Sequence, residues 1–274
     1  MPVSSLGEER GIAVGGQRIR VNVRRGTGVP LVLCNGLGVG LESLDPLVAQ
    51  LRPDSTVVRF DVPGIGGSAA SIMPYGLPYL AWLLGRVLAR LGIDVADLLG
   101  LSWGGLLAQQ FALQNPRRCH RLVLAATATG VLMVPGRFWK WLGVLTPRRF
   151  ADADYAAYVL GQLYGGVARV SGNEAVRQYL RMQTGSRVGY LYQLLAGSVW
   201  TSLFVLPAVR QETLIVAGTD DPIIPVVNAR IMNALMPHSR LYLHPGGHID
   251  LLFNAAPLAP VIESFRREST YGGG

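Results

Sequence analysis

Cysteine is scarce in this chain of 274 residues, which contains only Cys34 and Cys119. Two cysteines in a chain of this length do not make the disulfide framework that stabilises small secreted domains. They suit a reducing compartment, so we expect a cytoplasmic protein. The histidines and cysteines also lack metal-ligand spacing, and the sequence implies neither a metal ion nor a cofactor.

Long apolar runs are also missing. No stretch reaches the ~18 uninterrupted apolar residues that indicate a membrane-spanning helix, although half of the residues are hydrophobic. Residues 1–10 lack the basic start and the apolar segment of a secretory signal peptide. These absences favour a protein without a transmembrane segment or a cleaved leader.

Charged residues make up only 15% of the chain, but their balance is basic, with a formal net charge of +8 and a pI near 9.9. Such a surplus could serve an anionic partner such as nucleic acid. The arginines are scattered along the chain, however, and no basic helix with interleaved aromatic residues is present. We interpret the charge as a solvated, arginine-rich surface and expect no nucleic-acid partner.

Short, almost wholly apolar segments bounded by turns recur along the chain, at residues 31–34, 57–60, 97–101, 122–125 and 214–217. Segments of this kind are typical of strands buried on both faces of a parallel sheet. Amphipathic segments with helical spacing separate them, most clearly from Leu77 to Leu91. The alternation predicts an α/β fold with a doubly wound, mostly parallel sheet.

Two segments depart from this alternation. Residues 17–24 alternate polar and apolar side chains, which predicts an antiparallel edge strand. Residues 130–206 are rich in aromatic residues and arginine and contain no clear parallel strand. We interpret 130–206 as an inserted, mainly helical cap over the carboxyl edge of the sheet, with residues 1–129 and 207–274 forming the core.

The sequence Gly100-Leu101-Ser102-Trp103-Gly104 matches the G-x-S-x-G pattern of a nucleophile elbow. A strand-like segment precedes it and a helical one follows, which is the context that this motif requires. In such a turn a strained backbone pushes the serine hydroxyl out of the sheet, and glycines avoid a collision with the neighbouring elements. Ser102 is therefore the predicted nucleophile.

A serine hydroxyl is a weak nucleophile, so it needs a general base, and that base needs a carboxylate to orient it. In folds with this elbow the order along the chain is serine, acid, histidine. His248 follows the flexible turn Pro245-Gly246-Gly247 and precedes a helical segment, so it is the predicted base. His244 falls within a strand and His238 at the end of a surface helix, where packing or solvation accounts for them.

The acid is predicted just after the strand at residues 214–217, where Asp220 and Asp221 precede Pro222. We choose Asp221, because the proline holds the turn rigid and aims the preceding carboxylate across the strand ends. Asp220 is then expected to cap the turn. The pattern alone leaves the reverse assignment open.

Two backbone amides are predicted to bind the oxyanion of the tetrahedral intermediate. One belongs to Trp103, the residue after the nucleophile. The other belongs to Leu37 in the loop that follows the strand at residues 31–34.

Residues 61–68 form a second glycine-rich segment. A phosphate-binding loop would carry a lysine or open a helix with G-x-G-x-x-G spacing, and this segment has neither. We therefore interpret it as a structural loop.

Several stretches resemble a known family. They are Asn35-Gly36-Leu37-Gly38, residues 60–68, residues 102–112, residues 124–128, Val134-Pro135-Gly136, Tyr164-Gly165-Gly166, residues 189–197 in part, and Trp200-Thr201-Ser202. On these residues the chain resembles the α/β-hydrolase superfamily from about residue 17 to 265, and more narrowly the intracellular medium-chain-length poly(3-hydroxyalkanoate) depolymerases. Asn35 departs from the histidine common at this place, but the oxyanion donor is a backbone group and is retained.

The resemblance implies an α/β-hydrolase fold with Ser102, Asp221 and His248 as the catalytic triad. It also implies a serine-dependent ester hydrolase that cleaves a hydrophobic polyester through an acyl-enzyme on Ser102. Such an enzyme is attached to storage granules in the cytoplasm of a bacterium. An aromatic, leucine-rich cap is compatible with this function, because it supplies an apolar groove and an exposed patch that adsorbs to a granule.

Three alternatives share the fold. A small-molecule carboxylesterase would use the same triad in a closed pocket, and an acyltransferase would pass a 3-hydroxyacyl group to an alcohol instead of water. A granule-binding scaffold without catalysis is the third, since a fold does not imply a function. The elbow and the complete triad argue against the scaffold.

Overall fold

The computed structural model describes residues 6–136, 153–170, 181–182 and 184–268. Within them one sheet of eight strands has the order β1-β2-β4-β3-β5-β6-β7-β8. The pairs β1–β2 and β2–β4 are antiparallel, and the pairs from β4 to β8 across the sheet are parallel. The strands are β1 (Glu8–Val14), β2 (Gln17–Arg24), β3 (Thr27–Cys34), β4 (Ser55–Phe60), β5 (Ala96–Leu101), β6 (Cys119–Ala125), β7 (Glu212–Gly218) and β8 (Ser239–His244).

Helices connect the parallel strands and follow the last of them. They are α1 (Asp45–Gln50), α2 (Leu77–Arg90), α3 (Trp103–Gln114), α4 (Ala153–Tyr164), α5 (Gly166–Val170), α6 (Arg187–Ser198), α7 (Val226–Leu235), α8 (Asp250–Phe253) and α9 (Ala259–Arg267). Short 3₁₀ turns cover Leu41–Leu44 and Leu206–Ala208. None of the helices in the described ranges has both the length and the apolar character needed to cross a bilayer.

The hydrophobic core lies in two layers, one on each face of the sheet. Along β3, Val32 and Cys34 face a layer that includes α2 and α3. Leu31 and Leu33 face the opposite layer, which includes α1 and α9. Because both faces are covered, the central strands are mostly apolar, and the predicted doubly wound α/β architecture is confirmed.

The predicted edge position of residues 17–24 is wrong. The antiparallel pairing is present, but β1 lies outside β2 and forms the edge of the sheet. The two strands are joined at Gly15 and Gly16, whose φ angles are +56° and +78°. A Gly-Gly pair at positive φ is a strong hairpin signal, so this turn is the feature that would have predicted β1.

The segment between β6 and β7 contains α4, α5 and α6. Its ends are joined where it leaves and rejoins the core: Val131 N donates to Trp200 O at 2.9 Å, and Ser202 N donates to Thr129 O at 2.9 Å. Within this segment, residues 137–152, 171–180 and 183 lie outside the described residues. The division into a core and a cap at 130–206 therefore stays a prediction.

Candidate active site

Ser102 occupies the sharp turn between β5 and α3. Its φ and ψ are +53° and −119°, in a region that residues other than glycine rarely adopt. Such a conformation costs about 1–3 kcal/mol and persists only where neighbours fix it. Here Ser102 N donates to Ala125 O at 2.9 Å, and Ser102 O accepts from Gly105 N at 2.9 Å and Thr127 Oγ1 at 2.7 Å.

The flanking glycines are required by close packing. A Cβ on Gly104 would collide with the carbonyl of Cys34 at the end of β3, and one on Gly100 would collide with the backbone of Gly104 and Gly105. The start of α3 therefore lies directly against the sheet. This contact holds the serine at the carboxyl edge of the strands.

Ser102, His248 and Asp221 form a continuous hydrogen-bonded chain. Ser102 Oγ lies 2.9 Å from His248 Nε2, and His248 Nδ1 lies 2.8 Å from Asp221 Oδ2. Both His248 and Asp221 are buried. An ionised carboxylate only accepts hydrogen bonds, so it selects the tautomer with the proton on Nδ1 and leaves Nε2 free to accept from the serine hydroxyl.

The turn that follows β7 fixes the Asp221 carboxylate. Asp221 Oδ1 accepts hydrogen bonds from the amides of Ile223 and Ile224, both at 2.9 Å. The other carboxylate oxygen is then directed at His248. Pro222 stands between the acid and these two donors in the chain.

Asp220 points away from His248. Its Oδ1 pairs with Arg169 at 2.7 Å, and its Oδ2 accepts from Gly166 N at 2.8 Å, at the start of α5. The structure thus brings Asp221 and not Asp220 to the histidine. Asp220 holds α5 in place and does not cap its own turn as expected.

Two further residues position His248, and neither was predicted from the sequence. His248 N donates to Tyr164 O at 2.8 Å, and the two rings stack with centroids 6.3 Å apart. Asp250 Oδ1 accepts from Gly247 N at 2.8 Å and Val167 N at 3.1 Å. The hydrogen bond from Gly247 N to Asp250 joins residues three apart in the chain, so a local sequence pattern could have predicted it. The contact with Tyr164 has no such pattern.

The other two C-terminal histidines have the packed or solvated environments that the sequence predicts. His244 is the last residue of β8, and burial lowers the pKa of its imidazole, which favours a neutral, packed side chain. His238 is exposed just before β8.

Ser102 borders a cavity of about 330 Å³. Leu37 and Trp103, whose amides are the predicted oxyanion donors, line the same cavity. The rest of its described wall is mostly apolar and comprises Leu106, Thr127, Ala128, Gly130, Val131, Met133, Leu194, Gly197, Ser198 and Ile224. A larger cavity of about 480 Å³ lies behind Asp221 and is lined by Arg169 and Asp220, but Ser102 does not border it.

The glycine-rich loop at residues 61–68 is organised around its own carboxylate. Asp61 accepts hydrogen bonds from Leu41 N at 2.8 Å and Gly67 N at 2.9 Å, and it pairs with Arg20 at 3.3 Å. Burial raises the pKa of the Asp61 carboxyl. An acidic group at the centre of the loop disfavours a bound phosphate and agrees with the structural interpretation.

The chain is similar to several known proteins. The family model described as "alpha/beta hydrolase fold" matches residues 29–255. The chain is 40% identical to a poly(3-hydroxyalkanoate) depolymerase from Ectopseudomonas oleovorans, over 94% of this chain and 92% of the relative. It is 28% identical to a 2-hydroxy-6-oxo-2,4-heptadienoate hydrolase from Pseudomonas putida, over 80% of this chain and 81% of the relative.

Solved structures show the same fold. A hydrolase from Pseudomonas aeruginosa PA01 superimposes with a TM-score of 0.79 at 24% identity, covering 96% of this chain and 99% of the other. The enol-lactonase from Burkholderia xenovorans LB400 gives 0.79 at 23% identity, covering 94% and 100%.

Proposed function

The chain belongs to the α/β-hydrolase family, and we propose that it is a serine hydrolase which cleaves the ester bonds of medium-chain-length poly(3-hydroxyalkanoate). The observation that carries the polymer assignment is the 40% identity to a poly(3-hydroxyalkanoate) depolymerase across nearly the whole of both chains. The reaction type rests on the distances that link Ser102, His248 and Asp221.

In the first half of the proposed cycle, Ser102 Oγ attacks the ester carbonyl carbon and its proton passes to His248 Nε2. The negative charge on the former carbonyl oxygen is bound by the amides of Leu37 and Trp103. As the intermediate collapses, the bond to the leaving alkoxide breaks and His248 returns the proton to that oxygen. An acyl group remains on Ser102.

In the second half, water attacks the acyl-enzyme. His248 takes a proton from the water, and a second tetrahedral intermediate forms at the same place. Its collapse releases the carboxylic acid and returns a proton to Ser102 Oγ. Asp221 stays ionised throughout and stabilises the imidazolium form of His248.

The apolar character of the site supports a substrate with alkyl side chains. The described wall of the cavity beside Ser102 contains leucine, isoleucine, valine and methionine side chains. A charged substrate would lose its hydration there without a partner. The predicted cap at 130–206 contributes Gly130, Val131, Met133, Leu194, Gly197 and Ser198 to this wall, which supports its role as a cover for the site.

An exposed apolar surface lies beside the cavity on α6. Its outward side chains are Val188, Leu191, Leu194 and Leu195, each between 42% and 50% exposed. Adjacent apolar side chains in water favour adsorption to a hydrophobic surface. This surface is the part of the enzyme that we assign to contact with a storage granule or polymer particle.

A small-molecule carboxylesterase of the same fold is the second candidate. It is favoured by the 28% identity to a hydrolase whose name specifies a small substrate, and by the limited volume of the cavity beside Ser102, about 330 Å³. A 3-hydroxyacyl transferase would use the same acyl-enzyme with an alcohol as the acceptor.

The test compares wild type with Ser102→Ala on two substrates, an emulsified medium-chain-length polyhydroxyalkanoate and a short p-nitrophenyl ester. Release of 3-hydroxy acids from the polymer by wild type alone is the expected result. Hydrolysis of the short ester without polymer release would leave a carboxylesterase. Ester products formed with an added alcohol in preference to free acid would favour the transferase.

A further inference from the structure

One face of α6 is packed against the loops around Ser102. Gly189, Gln193 and Gly197 are four residues apart and so lie along the same side of the helix. Gly189 contacts the backbone of Gly64, and Gly197 lies against the ring of Trp103. Leu191 and Leu195, which are exposed, lie on the opposite side of the helix.

Gln193 is the polar residue at the centre of this packed face. Its side-chain Oε1 accepts from Gly38 N at 2.8 Å, across 155 residues of sequence. Its main-chain oxygen accepts from Trp103 Nε1 at 2.9 Å. Gln193 is only 1% exposed, so water does not compete for either bond. One residue of α6 therefore touches both segments that carry the predicted oxyanion donors.

The hydrogen bond from Gly38 N to Gln193 constrains the Leu37–Gly38 peptide group, which directly follows Leu37. Gly38 N belongs to the Leu37–Gly38 peptide, and Gly38 has a φ of +73° with the ring of Tyr190 packed against it. A buried amide that loses its acceptor is unfavourable, and rotation of the peptide towards another acceptor relieves that cost. The Leu37 N–H belongs to the preceding Gly36–Leu37 peptide, and the two peptides share the Leu37 Cα. A shift of the loop at Gly38 would therefore displace the Leu37 amide from the oxyanion.

We propose that Gln193 is a positioning residue for the oxyanion hole, through which α6 fixes the direction of the Leu37 amide. The inference rests on the proposed serine-hydrolase chemistry. It assigns the predicted cap a role in the rate of acyl transfer in addition to substrate binding. Donors aimed at the developing charge act mainly on the transition state, so the effect falls on kcat.

The test uses Gln193→Met, which keeps the volume of the side chain and removes the acceptor, and Gln193→Asn, which is too short to reach Gly38. Gln110→Met is the matched control, because Gln110 Oε1 accepts from Trp200 Nε1 at 2.7 Å and so also joins α3 to the segment between β6 and β7. We expect kcat on a soluble p-nitrophenyl ester to fall about 10-fold or more in both Gln193 variants, with KM within about twofold.

The control is expected to retain the wild-type kcat. A change in KM alone, or equal losses of kcat in the Gln193→Met and Gln110→Met proteins, would overturn the inference. Loss of cooperative unfolding in both Gln193 variants would also overturn it, because Gln193 would then support the fold and not the site.

A second readout separates this inference from the choice of substrate. An organophosphonate reacts with an activated serine and also places an oxygen in the oxyanion hole, so its rate of inactivation should fall in parallel with kcat. If wild type reacts with the phosphonate but leaves the polymer intact, the polymer assignment fails and the role of Gln193 stands. If wild type does not react with the phosphonate, both proposals fail.

Discussion

Adjacent aspartates at positions 220 and 221 have different environments, and only Asp221 is hydrogen-bonded to His248. The Asp221 side chain is 1% exposed, and three hydrogen-bond donors surround it, two of them backbone amides. The Asp220 side chain is 39% exposed and pairs with Arg169. An exposed ion pair contributes little, whereas a buried carboxylate that orients an imidazole determines which nitrogen carries the proton.

We therefore predict that Asp221→Asn lowers kcat by about 10⁴-fold, since an amide group at this place no longer enforces the tautomer with the proton on Nδ1. Asp220→Asn, the matched control, should change kcat by less than about threefold, as expected for an exposed pair. Steady-state kinetics on a soluble ester would measure both. Comparable losses in the two variants would contradict the assignment of the acid.

At the scale of single residues, the sequence predicts part of the candidate site. The elbow motif and the order of residues along the chain pointed to Ser102 and His248, which the structure brings within hydrogen-bonding distance. The choice between the two aspartates depends on which carboxylate receives the amides of the turn, and composition does not reveal that. Tyr164 packs on His248 from a different part of the chain, so no local pattern could have identified it.

Among the elements, α6 is placed by a close approach between two backbones. A Cβ on Gly189 would collide with the main chain of Gly64, which has a φ of +82°. Main-chain atoms cannot rotate out of the way as a side chain does, so this contact sets the distance between the helix and the loop at residues 61–68. Gly197 is different, because its neighbours are side-chain atoms of Trp103 and Leu106.

Gly189→Ala should lower the free energy of unfolding by about 1–3 kcal/mol, the usual cost of an overpacked contact. Gly197→Ala is the control, because both changes raise helix propensity equally. Its Cβ would lie 3.1 Å from Trp103 Nε1, which is a side-chain atom, whereas the Cβ of Gly189→Ala would meet main-chain atoms. Urea unfolding measures the two values. A Gly189→Ala protein as stable as Gly197→Ala would show that the helix does not pack in this way.

Element prediction succeeded where both faces of a strand are buried and failed at β1, on one margin of the sheet. The central strands are mostly apolar, so their identity is evident from composition. β1 begins with the charged residues Glu8, Glu9 and Arg10, because a margin strand is only partly covered. Its apolar alternation is therefore too short to recognise without the Gly-Gly turn.

Over the whole molecule, the apolar surface of α6 borders the same cavity as Ser102, since Leu194 belongs to both. The amino ends of the strands, where Val29 and Val95 lie, are at the opposite edge of the sheet. An enzyme adsorbed through α6 would thus present its cavity to the polymer. Adsorption through the opposite edge would turn the cavity away.

The double variant Leu191→Gln/Leu195→Gln should lower activity on emulsified polymer by about 10-fold or more. The reason is that adsorption of the wild type removes two half-exposed leucine side chains from water, and the variant loses this favourable free energy. Activity on a soluble ester should change by less than about twofold, as neither side chain lines the described cavity wall. Val29→Gln/Val95→Gln serves as the control and should affect neither activity. Equal loss on both substrates would place the effect in the site and not at the surface.

The central claim is that Ser102 carries the acyl group during ester hydrolysis. The most direct measurement mixes the enzyme with a p-nitrophenyl ester of a 3-hydroxy fatty acid, quenches the reaction in acid and maps any covalent adduct by mass spectrometry. The account predicts an acyl group on the peptide that contains Ser102, and neither adduct nor turnover in Ser102→Ala. Hydrolysis by Ser102→Ala at the wild-type rate, or an acyl group on another residue, would contradict it.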